Sequence, residues 1–376
     1  MPDHDATVVA RLEQAGAVLL GKLNTTEGAM AGYHPDFGVP RNPWGEDLWP
    51  GVSSSGSGVA TAAGLCYATL GTDTGGSIRY PSAMNGIVGL KPTWGRVSRF
   101  GVLDLAPSLD HVGPMTRRVS DAAAVLQAIA GADPRDPTAL PDRVPDYLAG
   151  IAEGIEGVRL GFDEDYATRG LPEHYAGSIR EAVSTLERLG AMVVAVRMPA
   201  MDAPHLEAWQ FICAAEAASV HEATFPSKAD SYGPWFRTWL QLGASVTGIQ
   251  YAKAHALRRQ LEGAVRTAFV GIDLLACPSV VSEPFAYDRD GVFQPPNREA
   301  GTSAGVPLSW FNGSRPFILP YDYNGYPTLS LPCGASPAGL PLSLQLVGHP
   351  LGEELLCRAG YAFEQATEWH RRHPPI

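Results

Sequence analysis

The sequence predicts an α/β fold in which a central mixed β-sheet is surrounded by α-helices. A strand pattern over Val158–Phe162, a long helix pattern over Tyr175–Leu189 and a second strand pattern over Met192–Val196 follow one another. This β–α–β order is typical of parallel strands joined by a helix. The chain has 376 residues, of which 45% are hydrophobic, so it can bury a large core.

Four apolar side chains recur at helical spacing near the start of the chain, namely Val8, Val9, Leu12 and Ala15. They predict an amphipathic helix over Asp5–Ala17. A strand is predicted over Ala17–Leu20, leading into the polar segment GKLNTTEGAM. Further on, Ser120 and Asp121 are predicted to cap a helix over Ala122–Ala130.

Residues 131–270 differ in character from the rest of the chain. Besides the β–α–β pattern, two helices are predicted, over Leu206–Ala223 and Gln250–Phe269. The aromatic residues of this region are Trp209, Phe211, Tyr232, Trp235, Phe236 and Trp239. They are interpreted as core packing or, alternatively, as the lining of a pocket for a bulky acyl or aryl group.

The C-terminal part returns to a strand-rich pattern. Strands are predicted over Ile272–Cys277, Thr328–Pro332 and Leu342–Val347, and a closing helix over Leu351–Trp369. The segment Glu283–Pro320 reads as a polar loop, either a lid or a plain surface excursion.

The stretch from Gly51 to Arg79 reads GVSSSGSGVATAAGLCYATLGTDTGGSIR. Two loops rich in glycine and serine flank a small-residue apolar segment, Val59–Leu70, that suits a helix running into a strand. A flexible linker has no reason to carry that apolar run. A phosphate-binding loop is also disfavoured, because neither a Gly-Lys-Ser/Thr ending nor a Gly-x-Gly-x-x-Gly pattern is present. Loops with many free N–H groups on a rigid element instead suit an oxyanion site.

These loops, followed by GTDTGGSIRYPSAMNGIVGLKPTWGRVSRFGV and SLDHVGPMTRRVSDAA, resemble the amidase signature family of serine hydrolases. The resemblance continues through DATVVARLEQAGAVLLGKLN and NGYPTLSLPCGASPAGLPLSLQLVG. It implies the amidase signature fold as a single domain over residues 1–376. Residues 1–130 and 271–376 would form the signature core, and residues 131–270 a variable region that shapes substrate choice.

The resemblance also implies a Ser–Ser–Lys triad. Ser77 would be the nucleophile, and the N–H groups of Thr74, Gly75, Gly76 and Ser77 would form the oxyanion hole. Ser53 would be the middle serine, which in this family follows a cis peptide bond. Such a serine can pass a proton between the nucleophile and a base, which a serine nucleophile needs at neutral pH.

Two departures from the family pattern affect this assignment. The family usually has glycine where this chain has Val52, so Ser54 is an alternative to Ser53. The catalytic lysine of the family lies in a motif upstream of the first helix, and none of the four lysines present matches it: Lys22, Lys91, Lys228 and Lys253. The sequence therefore predicts either a missing N-terminal segment or a diverged member with impaired chemistry, and Lys22 is the alternative base.

Two charged residues flank the predicted nucleophile turn. Asp73 and Arg79 are expected to pair with each other or to bond the loop backbone, and an ordinary surface ion pair is the alternative. His111 is interpreted as a polar neighbour of the site rather than a base. No spacing of histidine and aspartate suggests a Ser-His-Asp triad.

The chain carries a formal charge of −11, which disfavours direct binding to nucleic acid or to anionic membranes. No apolar run reaches membrane-spanning length. The five cysteines have no metal-binding spacing, and their odd number fits the reducing cytoplasm. The partner predicted is a small-molecule amide, without metal or cofactor, and a homodimer is one oligomeric state considered.

The sequence thus predicts hydrolysis of a carboxylic amide to an acid plus ammonia or an amine, through an acyl-serine intermediate. Two alternatives are kept. One is the amidase subunit of an aminoacyl-tRNA amidotransferase, which releases ammonia from glutamine. The other is a catalytically impaired binding or scaffold homologue, because the lysine base is missing.

Overall fold

The computed structural model describes residues 3–297 and 299–375. Its centre is a sheet of eight strands: β1 (Ala68–Asp73), β2 (Val88–Lys91), β3 (His111–Thr116), β4 (Arg159–Phe162), β5 (Met192–Ala195), β6 (Leu274–Pro278), β9 (Thr328–Ala335) and β10 (Pro341–Gly348). A separate hairpin consists of β7 (Thr302–Ser303) and β8 (Val306–Pro307).

The strand order in the main sheet is β1-β3-β2-β9-β10-β6-β4-β5. Neighbours are antiparallel from β1 across to β6, and β6, β4 and β5 are parallel. The sheet is therefore mixed, and the predicted α/β class is confirmed. The parallel part is the predicted β–α–β unit, since β4 pairs with β5 in register from Arg159 opposite Met192.

Helices flank this sheet: α1 (Thr7–Gln14), α2 (Ser55–Ala62), α3 (Arg79–Asn85), α4 (Val119–Ile129), α5 (Glu164–Thr168), α6 (Glu173–Arg188), α7 (Ala203–Val220), α8 (Pro234–Ser245), α9 (Gly248–Ala268), α10 (Leu308–Ser314), α11 (Leu319–Tyr323) and α12 (Glu353–Ala366). Helices α6 and α12 pack on β9 and β10, and α12 also packs on α4. Helices α7, α8 and α9 pack on one another within the variable region. None of the helices in the described residues is both long and apolar enough to cross a membrane.

Two local predictions are wrong. Residues Ala17–Leu20 form no strand; Val18 and Leu20 are 83% and 74% exposed. An apolar run becomes a strand only where another strand accepts its backbone hydrogen bonds. Helix α4 begins at Val119, and its N-cap residue Arg118 makes no side-chain cap. Instead, Glu364 of α12 accepts the Val119 N–H at 2.8 Å, a contact that the local sequence does not reveal.

The segment Glu283–Pro320 is not a plain surface excursion, because its aromatic residues are packed against the signature core. The Trp310 ring lies 4.8 Å from that of Trp49 and 5.2 Å from that of Tyr80, measured between ring centroids. Phe311 lies 6.1 Å from Tyr80. Helix α10 therefore approaches the region of the two serine loops.

Candidate functional site

The two serine-rich loops lie next to each other at the end of β1. Residues 51–54 precede α2, and residues 74–78, here called the nucleophile turn, connect β1 to α3. The Ser54 N–H donates to the Ser77 carbonyl oxygen at 3.3 Å, which joins the two loops directly. Ser77 is partly exposed, whereas Ser53 and Ser54 are buried. The structure thus brings together the residues that the sequence singled out.

The first loop depends on glycine at one position. Gly51 has φ +77°, and a Cβ atom there would lie 2.5 Å from the Cα atom of Pro81. The next residue, Val52, has no positive φ and is buried in the core, so the substitution of the usual glycine is tolerated sterically. The Val52–Ser53 peptide bond is cis, as the resemblance implied.

The hydroxyl groups of the two candidate middle serines differ in what they contact. Ser54 Oγ accepts a hydrogen bond from the Thr72 N–H at 3.2 Å and donates to the Thr72 carbonyl oxygen at 3.3 Å. Ser53 Oγ is buried and meets no hydrogen-bond partner among the described residues. The Ser53 hydroxyl is therefore available for a proton transfer, while that of Ser54 is occupied by the backbone.

The nucleophile turn is wrapped around the carboxylate of Asp73. That carboxylate accepts the Gly76 N–H at 2.7 Å and the Ile78 N–H at 3.0 Å. The Arg79 guanidinium donates to both of its oxygens, at 2.8 and 3.0 Å. Burial alone would raise the pKa of Asp73, but the adjacent Arg79 charge holds that pKa well below its usual range. The predicted pairing of Asp73 with Arg79 is present, and it is fully buried rather than at the surface.

Arg79 extends this cluster to the C-terminal part of the chain. It donates to Asp322 of α11 at 2.7 Å and to the Ile318 carbonyl oxygen at 2.9 Å. Burial and the neighbouring Asp73 carboxylate raise the pKa of Asp322 well above its ordinary value, although Arg79 opposes that shift. A single guanidinium therefore connects the turn to a helix more than 200 residues away in sequence.

Neither of the two lysines nearest to the site in sequence contacts the serines. Lys91 is fully buried and donates to the Tyr326 carbonyl oxygen at 2.7 Å. Burial lowers its pKa to about 7, with the Asp322 charge opposing the shift. Lys22 is exposed, and no hydrogen bond joins it to Ser53 or Ser77 in the described part of the chain. The interpretation of Lys22 as an alternative base gains no contact from the structure.

Thr74, the first residue of the turn, is held from two sides. Its hydroxyl donates to Asp110, whose other carboxylate oxygen accepts the N–H groups of Leu105 and Ala106. Burial raises the pKa of Asp110 to about 7, and the Thr74 hydrogen bond opposes that shift. On the other side, Trp209 Nε1 of α7 donates to the Thr74 carbonyl oxygen at 3.0 Å.

The backbone N–H groups of the turn are not equivalent, which corrects the predicted oxyanion hole. The Gly76 N–H is engaged by Asp73, so it is not free to stabilise an oxyanion. The N–H groups of Thr74, Gly75 and Ser77 meet no acceptor within residues 3–297 and 299–375. Three of the four predicted donors therefore remain available.

His111 lies beside the turn without touching the serines. Its Nδ1 atom is 3.1 Å from the Asp73 carbonyl oxygen, and its Nε2 atom is buried. Burial and the Lys91 charge lower the pKa of His111 well below its ordinary value, so the ring stays neutral. This agrees with its interpretation as a polar neighbour of the site.

Sequence reasoning missed three residues that support the turn: Asp110, Trp209 and Asp322. In the sequence, Asp110 stands out only as part of the SLDH motif, and Trp209 only as one of six aromatic residues. Asp322 gave no signal, although an acid in an otherwise apolar segment, ILPYDY, could have indicated a buried charge.

The chain is similar to several known proteins over most of its length. The family model Amidase matches residues 1–357. AmiD of Mycobacterium tuberculosis, which carries the name of an amidase, is 43% identical over all of this chain and 76% of its own length. One component of the glutamyl-tRNA(Gln) amidotransferase of Moorella thermoacetica is 39% identical, over 100% of this chain and 79% of that protein. The crystal structure of the peptide amidase of Stenotrophomonas maltophilia superposes with a TM-score of 0.79 at 33% identity, covering 99% of this chain and 78% of that one.

Proposed function

The chain belongs to the amidase family of hydrolases that act on amides, and on that premise we propose that it cleaves a carboxylic amide through an acyl-Ser77 intermediate. The observation that carries the proposal is the arrangement of one partly exposed serine, one buried and unpartnered serine, and three free N–H groups around the same turn, all within the described residues. Such donors stabilise the oxyanion that forms in acyl transfer.

In the proposed reaction, Ser77 Oγ attacks the amide carbon and the carbonyl oxygen takes up negative charge. The N–H groups of Thr74, Gly75 and Ser77 donate to that oxygen. Ser53 receives the Ser77 proton and passes it on to the leaving nitrogen as the C–N bond breaks. Water then attacks the acyl-serine, which releases the acid and returns a proton to Ser77.

Intact-mass labelling with a fluorophosphonate tests this proposal, because an activated serine displaces fluoride from phosphorus. We expect one label on the chain and none on the Ser77→Ala variant. Ser53→Ala should slow labelling at least about tenfold, a loss of the order found for a positioned proton-transfer group. Ser54→Ala is the matched control, since the Ser54 hydroxyl is occupied by Thr72. Equal labelling of the Ser77→Ala variant would overturn the assignment.

A second candidate is the release of ammonia from glutamine for an amidotransferase. The observation in its favour is the 39% identity to a component of an amidotransferase over the whole chain. Incubation with glutamine and with a neutral peptide amide, followed by an ammonia assay, separates the two candidates. Turnover of glutamine alone would favour the amidotransferase reaction.

The alternative of a catalytically silent binding protein rests on the lysines. Neither Lys22 nor Lys91 donates to Ser53 or Ser77 within the described residues. Binding of an amide without any labelling of Ser77 would support this alternative over the hydrolase.

We place the reaction in the cytoplasm, because all five cysteines are unpaired and disulfides are rare in reducing compartments. The substrate is proposed to be a small amide that reaches Ser77 from solvent. A homodimer is the oligomeric state considered, and sedimentation of the purified chain tests it directly.

A further inference from the structure

A partly buried arginine without a counter-charge among the described residues lies beside the nucleophile turn. Arg315 follows α10, and its guanidinium carbon lies 5.9 Å from the centroid of the Trp209 ring and 5.8 Å from that of Phe311. Trp209 in turn contacts the turn itself, since it donates to the Thr74 carbonyl oxygen and its ring covers Gly75. Arg315 is therefore separated from the proposed oxyanion donors by one side chain.

No carboxylate in the described part of the chain forms an ion pair with Arg315. Its one hydrogen bond there runs from Nη1 to the Asn312 side-chain oxygen at 3.0 Å. The other N–H groups of the guanidinium are not enclosed by protein, since none of its nitrogens is among the buried unpartnered atoms. Burial lowers the pKa of Arg315, and only the tyrosines Tyr80 and Tyr323 oppose that shift. The guanidinium is thus partly desolvated and has donors to spare.

This situation differs from that of Arg79, whose guanidinium is shared by two aspartates. Removing a cation from water without an opposite charge is unfavourable, and the cost is recovered when an anion binds. A planar guanidinium with free N–H groups matches a carboxylate in two hydrogen bonds. The nearby Tyr80 hydroxyl is buried and has no partner among the described residues, so it offers one more polar group on the same side.

We propose that Arg315 binds a carboxylate of the substrate, so that the chain prefers amides that carry a negative charge away from the bond that is cleaved. This inference rests on the proposed function, since it names the substrate class for the same site. The simplest substrates of this class are monoamides of dicarboxylic acids. Their matched neutral counterparts are the diamides of the same acids.

Equilibrium binding tests the inference without requiring turnover. Calorimetric titration of the full chain with the monoamides of succinic, glutaric and adipic acid should show tighter binding of at least one of them than of its diamide. The Arg315→Gln variant should lose about 100-fold in affinity for that monoamide, the usual scale for removing one partner of a desolvated charge pair. Its affinity for the diamide should change less than about threefold. Arg315→Lys should recover part of the loss, because it keeps the charge but not the planar fork.

Arg372→Gln is the matched control. Arg372 also lies over a tryptophan, with its guanidinium carbon 5.7 Å from the centroid of the Trp44 ring, and it donates to the Gly339 carbonyl oxygen rather than to the serine loops. We expect this variant to bind both ligands as the unmodified chain does. Equal losses for monoamide and diamide in Arg315→Gln would overturn the inference, since Arg315 would then only support Trp209.

The inference and the proposed function fail separately. Normal labelling of Ser77 with no preference for the monoamides would overturn the role of Arg315 and leave the hydrolase proposal intact. A preference that depends on Arg315, together with an unreactive Ser77, would support the role of Arg315 and overturn the hydrolase proposal.

Discussion

The two serine loops lie side by side, but different forces hold them in place. The nucleophile turn is organised by the buried carboxylates of Asp73 and Asp110. The first loop contains no charged residue. Its Ser53 carbonyl oxygen accepts the Thr25 hydroxyl at 2.6 Å and the Thr26 N–H at 3.2 Å, and Gly51 lies directly against α3.

This difference teaches which perturbations each loop should resist. A turn held by buried charges is sensitive to the removal of a charge and to pH, because an uncompensated buried ion is unfavourable. A loop held by backbone hydrogen bonds and close packing is sensitive to added volume and to backbone conformation. The following predictions test that contrast, from the largest expected effect to the smallest.

Asp73→Asn should give the largest effect, because it removes the charge around which the nucleophile turn is folded. Arg79 would keep only Asp322 as a charged partner among the described residues. We expect a loss of about 3–5 kcal/mol in the free energy of unfolding, measured by urea denaturation. Asp165→Asn is the matched control, since Asp165 is half-exposed and pairs with Arg169 at the surface; it should cost less than about 1 kcal/mol. Similar losses for both variants would contradict the contrast.

Asp110 should make the stability of the turn depend on pH. Its pKa is raised to about 7 in the folded chain, so the folded state holds a proton that the unfolded state releases near pH 4. Stability from this group is therefore complete below about pH 4 and is lost as the pH rises to about 7. The slope should approach about 1.4 kcal/mol per pH unit in that window.

The Asp110→Asn variant isolates this contribution. The difference in unfolding free energy between the variant and the unmodified chain should change with pH between about 4 and 7 and stay constant above that range. A difference that stays flat from about pH 4 to about pH 8 would show that Asp110 does not titrate in this window.

Gly51→Ala tests the first loop by volume and backbone conformation rather than charge. The added Cβ atom would lie 2.5 Å from the Pro81 Cα atom, and φ is +77°. We expect a loss of about 2–3 kcal/mol in unfolding free energy, with slower labelling of Ser77. Gly64→Ala is the control, because Gly64 also has a positive φ of +71° but faces open space; it should lose only the conformational part, about 1 kcal/mol.

Trp209→Phe should have the smallest effect, because it removes one hydrogen bond and keeps an aromatic ring. The Thr74 carbonyl oxygen would lose its donor at 3.0 Å, at a cost of about 1 kcal/mol. Trp239→Phe is the matched control, since Trp239 Nε1 is buried without a partner among the described residues. We expect labelling of Ser77 to slow several-fold in Trp209→Phe only. Equal slowing in both would show that ring packing, not the hydrogen bond, supports the turn.

Much of this protein was determined by local sequence. The glycine and serine pattern from Gly51 to Arg79 defines both loops, because only certain residues adopt such turns. The β–α–β pattern likewise predicts its own pairing, since a short helical crossover places two strands side by side in parallel. The pairing of Asp73 with Arg79 was within reach for the same reason, because the two residues are close neighbours in sequence.

Tertiary structure alone decided the rest. The order of the eight strands, the capping of α4 by Glu364, the link from Arg79 to Asp322 and the hydrogen bond from Trp209 to Thr74 all depend on residues far apart in sequence. Periodicity and turn chemistry describe only neighbours along the chain, so they carry no record of such contacts. The same limit explains why Ala17–Leu20 was mistaken for a strand, and why one oxyanion donor proved to be occupied by Asp73. Whether a backbone group is free or bonded depends on what the folded chain brings to it.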